Sequence, residues 1–142
     1  MGKGFVVNAA EVAPFRVSSE YVSKMLIDKH NSGVDSFQVN EGVVKAGCKL
    51  AGAAHPEPYD ELYIVLSGRA VLHMDGEDYD LSPGSVVLIP SGTFHALENT
   101  SATEDFVLLT VWHKTPSREA TRCTMHGFRR GAPRSAVPPT EG

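Results

Sequence analysis

The sequence predicts an all-β protein built as a sandwich or barrel of short strands. Three observations support this fold class. The apolar runs in the middle of the chain are short, turn residues separate them, and no stretch combines the length and the period of a long helix. Short strands that recur about every 8 to 12 residues are typical of such folds. We therefore expect one domain whose strands alternate between an inner and an outer face.

The first third of the chain contains two predicted strands. Residues 20–28 and 36–44 form them, and the second has the alternation of apolar and polar residues seen in a half-buried strand. Residues 31–33 lie between them and are an Asn-Ser-Gly turn. Before them, residues 4–7 are a short strand-like run. Residues 13–15 contain a proline, which cannot donate to a sheet, so we expect an irregular or edge segment there.

The rest of the chain gives four apolar strands separated by turn residues. These strands are predicted at 62–66, 70–74, 86–89 and 107–112. The strongest hairpin signal is Asp75-Gly76, because both residues tolerate the positive φ that a two-residue type I′ turn needs.

Length and composition limit the possible functions. The chain has 142 residues, 42% of them hydrophobic, which suffices for one core but not for two domains of ordinary size. We expect residues 1–128 to form that domain and residues 129–142 to form a Pro/Arg-rich arm. The net charge of −4 gives no general attraction to nucleic acid or to anionic membranes, and no apolar run reaches the ~18 residues of a spanning helix. We predict a soluble, cytoplasmic protein with Cys48 and Cys123 as free thiols.

Four residues between positions 55 and 95 form a candidate metal site. On a strand, His55 and Glu57 would point to one face, and a turn could bring Glu61 back beside them. His95 would arrive from a later strand. Two imidazoles and two carboxylates suit Mn, Fe, Co, Ni or Zn in the divalent state. The sequence therefore predicts one divalent transition-metal ion per chain.

Two motifs with fixed spacing contain these residues. They read His55-x-Glu57-x3-Glu61-x6-Gly68 and Gly84-x5-Pro90-x-Gly92-x2-His95-x3-Asn99. With a motif core over residues 47–99, the chain resembles the cupin superfamily, and in particular the small single-domain microbial cupins. The second motif matches at every position. The first differs at one ligand, because the family pattern has a second histidine where this chain has Glu57.

The resemblance implies an antiparallel jelly-roll barrel of about six to eight strands with a metal near one open end. It also implies that His55, Glu61 and His95 occupy the positions that most often bind the metal. Glu57 is then either a fourth ligand or a general base. Tyr63, two residues after Glu61, shares its inward direction and is either a catalytic pocket residue or part of the core.

We predict a metal-dependent enzyme that acts by proton transfer on a small molecule bound to the metal through oxygen atoms. An isomerase, lyase or cyclase fits this description. One alternative is an oxygen-dependent, non-haem iron dioxygenase with a two-histidine, one-glutamate site. A second alternative is a non-enzymatic cupin that binds a small molecule or a metal. By analogy with the family, we also expect a homodimer.

Several further histidine and aromatic residues lie outside the metal site. We interpret them as structural (His73, His113), as solvated (His30, His126) and as barrel core (Phe106, Trp112).

Overall fold

The computed structural model describes residues 2–114 of the chain and shows an all-β fold. The predicted fold class is confirmed, since every strand pairing is antiparallel and the helices are very short. Cys123, His126 and the predicted arm at 129–142 lie outside the described residues. Among residues 2–114, no helix is long and apolar enough to cross a membrane. The predicted homodimer and the domain boundary at 128 stay predictions.

The described part of the chain contains nine strands and two short helices. The strands are β1 (Phe15–Arg16), β2 (Tyr21–Ile27), β3 (Gln38–Val44), β4 (Glu61–Ser67), β5 (Ala70–Met74), β6 (Glu77–Leu81), β7 (Val86–Ile89), β8 (His95–Glu98) and β9 (Phe106–Trp112). The helices are a single 3-10 turn (Ala9–Glu11) and α1 (Lys29–Ser32).

Two sheets form the barrel. The larger has the order β1-β2-β3-β9-β4-β7, and the smaller has the order β6-β5-β8. The inner faces of both sheets contribute to one apolar core, which includes Phe106, Leu108 and Val44 from the larger sheet and Leu72 and Leu97 from the smaller. Removal of such a side chain from water stabilises the fold by about 1.5–3 kcal/mol. This core holds the two sheets together around the metal-ligand candidates.

Most predicted strands are confirmed within one or two residues. One prediction is wrong: residues 4–7 form no strand, because the segment finds no partner strand and Val6 is almost fully exposed. The predicted turn at 31–33 instead contains the end of α1, which stops at Gly33 with φ of 74°. The interpretation of Phe106 and Trp112 as barrel core is confirmed, since both are buried on the inner face of β9.

Backbone geometry and hydrogen bonds explain the predicted hairpin and two residues of the sequence motifs. Asp75 and Gly76 have φ values of 50° and 80°, as the predicted type I′ hairpin requires. Gly68 has φ of 81°, and a Cβ at this position would collide with the backbone carbonyl of Asp105. Asn99 is fully buried, and its amide donates hydrogen bonds to the backbone carbonyls of Val44 and Glu104. The glycine and asparagine of the motifs therefore hold the frame around the site.

Candidate metal centre

Three of the four predicted ligands converge at one buried point. His55, Glu61 and His95 are 3%, 4% and 2% exposed, and their potential ligand atoms lie within 4.8 Å of one another. This is the only such group of three histidine, cysteine or acidic residues among residues 2–114. The convergence of two imidazoles and one carboxylate gives a donor set that suits a divalent transition metal.

Backbone pairing places the three side chains. Glu61 is the first residue of β4 and His95 is the first residue of β8. His55 lies in the segment that leads into β4. There the backbone of Ala53 exchanges two hydrogen bonds of 3.0 Å with His95, and the Gly92 N–H donates to the His55 carbonyl at 2.8 Å. These bonds bring His55 beside His95 although forty residues separate them in sequence.

The orientation of His95 leaves a lone pair facing the other two ligands. Its Nδ1 is 2.9 Å from the backbone carbonyl of Thr93, so this nitrogen carries the proton and donates it. The Nε2 atom is therefore the acceptor, and it lies 3.6 Å from Oε1 of Glu61 with no hydrogen-bond partner. A hydrogen bond from one ring nitrogen to a carbonyl is the usual way a protein prepares the other nitrogen for a metal.

Glu61 and His55 form a close pair. Nε2 of His55 is 2.8 Å from Oε1 of Glu61. Burial alone would raise the pKa of the Glu61 carboxyl, but the hydrogen bond with His55 and the electrostatic effect of both nearby histidines lower it to about 2. Burial lowers the pKa of His55, and the Glu61 carboxylate offsets part of that effect. The Glu61 carboxyl is therefore ionised at neutral pH.

The structure does not bring Glu57 to this centre. Residues 56–59 form a turn in which the Tyr59 N–H donates to the Pro56 carbonyl, and the Glu57 side chain is exposed. The prediction that His55 and Glu57 share one face of a strand is wrong, because the prolines on both sides of Glu57 interrupt the extended ladder that such alternation needs. The role of Glu57 as a ligand or a base stays a prediction.

Tyr63 lies inside the barrel beside the centre. It is buried on β4, and its ring meets the His95 ring edge-on with centroids 6.1 Å apart. Burial, followed by the negative charge of Glu61, raises the pKa of its phenol well above the usual range. Tyr63 therefore keeps its proton at physiological pH and can donate a hydrogen bond into the interior.

Two further residues complete the inner surface, and sequence reasoning missed the role of both. The indole of Trp112 packs on His55 with ring centroids 4.5 Å apart. Thr110 precedes it on the same inner face and is 4% exposed. Neither the Thr110 hydroxyl nor the Trp112 Nε1 has a hydrogen-bond partner. The available signal was a threonine at an inward position of an otherwise apolar strand.

The other described histidines do not join the centre. His73 lies in β5 and bridges Asp78 and Glu98, while His113 follows β9 and donates from Nδ1 to the Pro58 carbonyl at 2.7 Å. His30 is exposed in α1. The interpretation of His73 and His113 as structural agrees with these contacts, although His113 lies just beyond its predicted strand.

The centre fits a divalent metal ion. Nε2 of His95 and Oε1 of Glu61 are both acceptors, and they face each other across 3.6 Å in a buried place. Two such atoms repel unless a cation or a proton lies between them. His55, Glu61 and His95 are the residues that would hold the ion.

Comparison with known proteins shows the family of this chain. The model of the cupin domain matches residues 40–112. An oxalate-binding protein from Thermotoga maritima is 30% identical over 108 residues, which span 72% of this chain and 89% of that protein. The chain belongs to the cupin family.

Solved structures agree with the fold. A predicted oxalate decarboxylase from Thermotoga maritima superposes with a TM-score of 0.68 and 26% identity over 78% of this chain and 99% of that one. KdgF from Halomonas sp. superposes with a TM-score of 0.71 and 17% identity, covering 83% and 99%. Because KdgF is only 17% identical to this chain, its similarity concerns the fold alone.

Proposed function

We propose that this cupin is a metal-dependent enzyme that acts by proton transfer on a small molecule with several oxygen atoms. His55, Glu61 and His95 would hold the ion. The observation that carries the proposal is the buried, unpartnered Nε2 of His95, which faces the Glu61 carboxylate. A purely structural histidine would leave this atom paired.

The residues around the centre support chemistry on a chelating ligand. A bound divalent ion would polarise the oxygens of such a ligand and make its neighbouring C–H bonds more acidic. Tyr63 holds its proton and lies within the interior, so its hydroxyl can donate a hydrogen bond to an oxygen that gains negative charge. Trp112 and the apolar core form the buried wall beside the centre. The proton released from carbon would pass to a water molecule, and this is how deuterium from D2O would enter the substrate.

Two other functions have a specific observation in their favour. The exposed position of Glu57 leaves three protein ligands, which is the set that non-haem iron dioxygenases use to keep coordination sites open. The name of the Thermotoga maritima relative instead favours binding of a small dicarboxylate without turnover. Both alternatives use the same three ligands, so they differ from the main proposal in the chemistry that follows binding.

One experiment separates the three functions. Protein purified without a histidine tag should carry about one transition-metal ion per chain. In D2O without oxygen, the metal-loaded protein should exchange the carbon-bound hydrogens of pyruvate or oxaloacetate faster than the free ion does, as measured by proton NMR.

Control variants and assays test the role of Tyr63 and distinguish between the three functions. Tyr63→Phe should slow exchange and keep the metal, whereas Tyr79→Phe, at an exposed tyrosine, should change neither. In a parallel assay in air, oxygen consumption by a protein that shows no exchange would favour the dioxygenase. Ligand binding with neither reaction would favour the binding protein, and a protein that takes up no metal would overturn all three.

A further inference from the structure

Two buried hydrogen-bonding groups inside the barrel lack partners in the protein. They are the hydroxyl of Thr110 and the indole N–H of Trp112, in side chains that are 4% and 3% exposed. A buried group of this kind costs about 1–3 kcal/mol when it remains unpaired. Such groups are rare in native structures, and each one calls for a physical reason.

The two groups lie next to the metal centre. In the larger sheet, Trp112 is directly paired with Glu61, and Thr110 is directly paired with Tyr63. All four side chains lie on the inner face, since each is buried in a strand whose alternate residues are half-buried or exposed. The Trp112 ring also packs on His55. The unpaired groups thus belong to the first two inward-facing residue pairs between β4 and β9, counted from the ligand candidate Glu61.

Neighbouring polar residues are already bonded to one another. On the next strand, the Gln38 amide donates to Asn40, and the Asn40 amide donates to Ser23. All three are buried. Buried polar side chains on this neighbouring strand therefore have hydrogen-bond partners within the protein. On the strand beside the metal centre, Thr110 and Trp112 instead lack such partners.

We propose that Trp112 and Thr110 form the second half of a ligand site and bind the end of a small carboxylate that points away from the metal. This inference rests on the proposed function, because the triad would hold the near end. The indole N–H can only donate, so the ligand must present an acceptor. Oxygen atoms of a second carboxylate or of a keto group meet this need.

The same surface argues against phosphate esters. None of the buried inward residues of β3, β4 and β9 is lysine or arginine. Phosphoryl groups are usually bound by cationic side chains or by clustered backbone amides. Neutral donors beside a metal instead suit a small dicarboxylate or a keto acid.

Variants that remove each hydrogen-bonding group test the assignment. Thr110→Val removes only the hydroxyl, Trp112→Phe removes the N–H and keeps an aromatic ring, and Thr103→Val is the matched change at an exposed position. Oxalate and pyruvate serve as probes, because pyruvate has a methyl group where oxalate has further acceptor oxygens. Each probe is titrated by calorimetry into protein loaded with Mn²⁺, and the metal content is measured on the same samples.

We expect each inner variant to keep the metal and to weaken oxalate binding by roughly ten-fold or more, the size expected for one lost hydrogen bond to a charged group. Pyruvate binding should change less, so the preference for oxalate should shrink. Thr103→Val should match the native protein. Since Trp112 is the only tryptophan of the chain, its fluorescence provides a second measure of oxalate binding in the native and Thr110→Val proteins.

Thermal unfolding without ligand separates a ligand-binding role of the Thr110 hydroxyl from a structural role, because the two predict opposite changes in the unfolding midpoint. Removal of an unpaired buried hydroxyl should raise the unfolding midpoint of Thr110→Val. A lower midpoint with unchanged oxalate affinity would overturn the inference, and so would unchanged affinity in both inner variants, which is the result expected if water satisfies these groups. Failure of the native protein to bind any of Mn²⁺, Fe²⁺, Co²⁺, Ni²⁺ or Zn²⁺ would instead overturn the proposed function.

Discussion

Among residues 2–114, two clusters of three side chains combine histidine with carboxylate, and their surroundings give them opposite chemistry. The inner cluster joins His55, Glu61 and His95. The outer cluster joins His73 to Asp78 at 2.6 Å and to Glu98 at 3.1 Å. Both bring together three residues from different strands or loops, and both contain short nitrogen-to-oxygen contacts.

The difference lies in which ring nitrogens remain available. Both nitrogens of His73 face carboxylates, so both donate when the ring is protonated, and the hydrogen bonds that the ring donates to Asp78 and Glu98 raise its pKa. No lone pair remains for a metal. In the inner cluster, the backbone carbonyl of Thr93 accepts a hydrogen bond from the Nδ1–H of His95, so that Nε2 is left as an acceptor. The hydrogen bond to this carbonyl makes His95 a metal-ligand candidate, whereas His73 forms ion pairs with both of its ring nitrogens.

The largest expected effect is the loss of metal from a variant of the inner cluster. His95→Ala should reduce metal affinity by more than about 100-fold, because it removes one of three donors from a prearranged site. His73→Ala should retain about one ion per chain. Metal analysis of the two variants, purified side by side, checks this. Full occupancy in His95→Ala would break the comparison.

Metal binding should also stabilise the fold through the inner cluster only. At a free metal concentration about 100 times the Kd, the expected gain is about 2.7 kcal/mol, or roughly 10 °C in Tm for a chain of this size. Differential scanning calorimetry with and without Mn²⁺ measures it. The native protein and His73→Ala should show equal shifts. His95→Ala should shift by less than about 2 °C, since a site 100-fold weaker gains only about 0.4 kcal/mol at the same metal concentration. An equal shift in all three would place the ion elsewhere.

The outer cluster should give a smaller effect that depends on pH. The pKa of His73 in the folded protein lies above its ordinary value of 6.5, so the folded state holds the proton more tightly than the unfolded chain. This stabilisation is fully present below pH 6.5 and disappears as the pH rises through the folded-state pKa. Because the side chain is 31% exposed, water screens the pair and the effect should be small.

Thermal unfolding of the native protein and of His73→Gln at pH 5.5 and pH 8.5 tests the direction in which the stabilisation by His73 changes with pH. The native protein should be the more stable of the two at the lower pH, and the gap should narrow at the higher pH. A gap that widens with pH would show that His73 is neutral in the folded protein.

The smallest expected effect concerns Glu57. Since its side chain is exposed and lies outside the inner cluster, Glu57→Gln should leave the metal content unchanged. Metal and proton exchange should be measured on one preparation. Loss of metal would make Glu57 a fourth ligand after all, whereas retained metal with lost exchange would make it a base.

Much of the fold followed from the sequence because the governing signals are local. Alternation of apolar residues indicated β3 and β9, and Asp75-Gly76 indicated a hairpin, since each depends on a few neighbouring residues. The strand-like run at residues 4–7 misled for the same reason: its local pattern suits a strand, but a strand also needs a partner, which the segment does not find.

The sequence by itself determined the barrel class and three candidate ligands. Short apolar runs between turn residues indicate the barrel, and the fixed spacing of the two motifs indicates the ligands. Only the tertiary structure decided that Glu57 stands apart, that Thr93 sets the proton position on His95, and that Thr110 and Trp112 lack partners. Those facts depend on contacts between segments distant in sequence and on which groups water reaches. Hydrogen-bond satisfaction and burial are properties of the packed interior, and no local pattern specifies them.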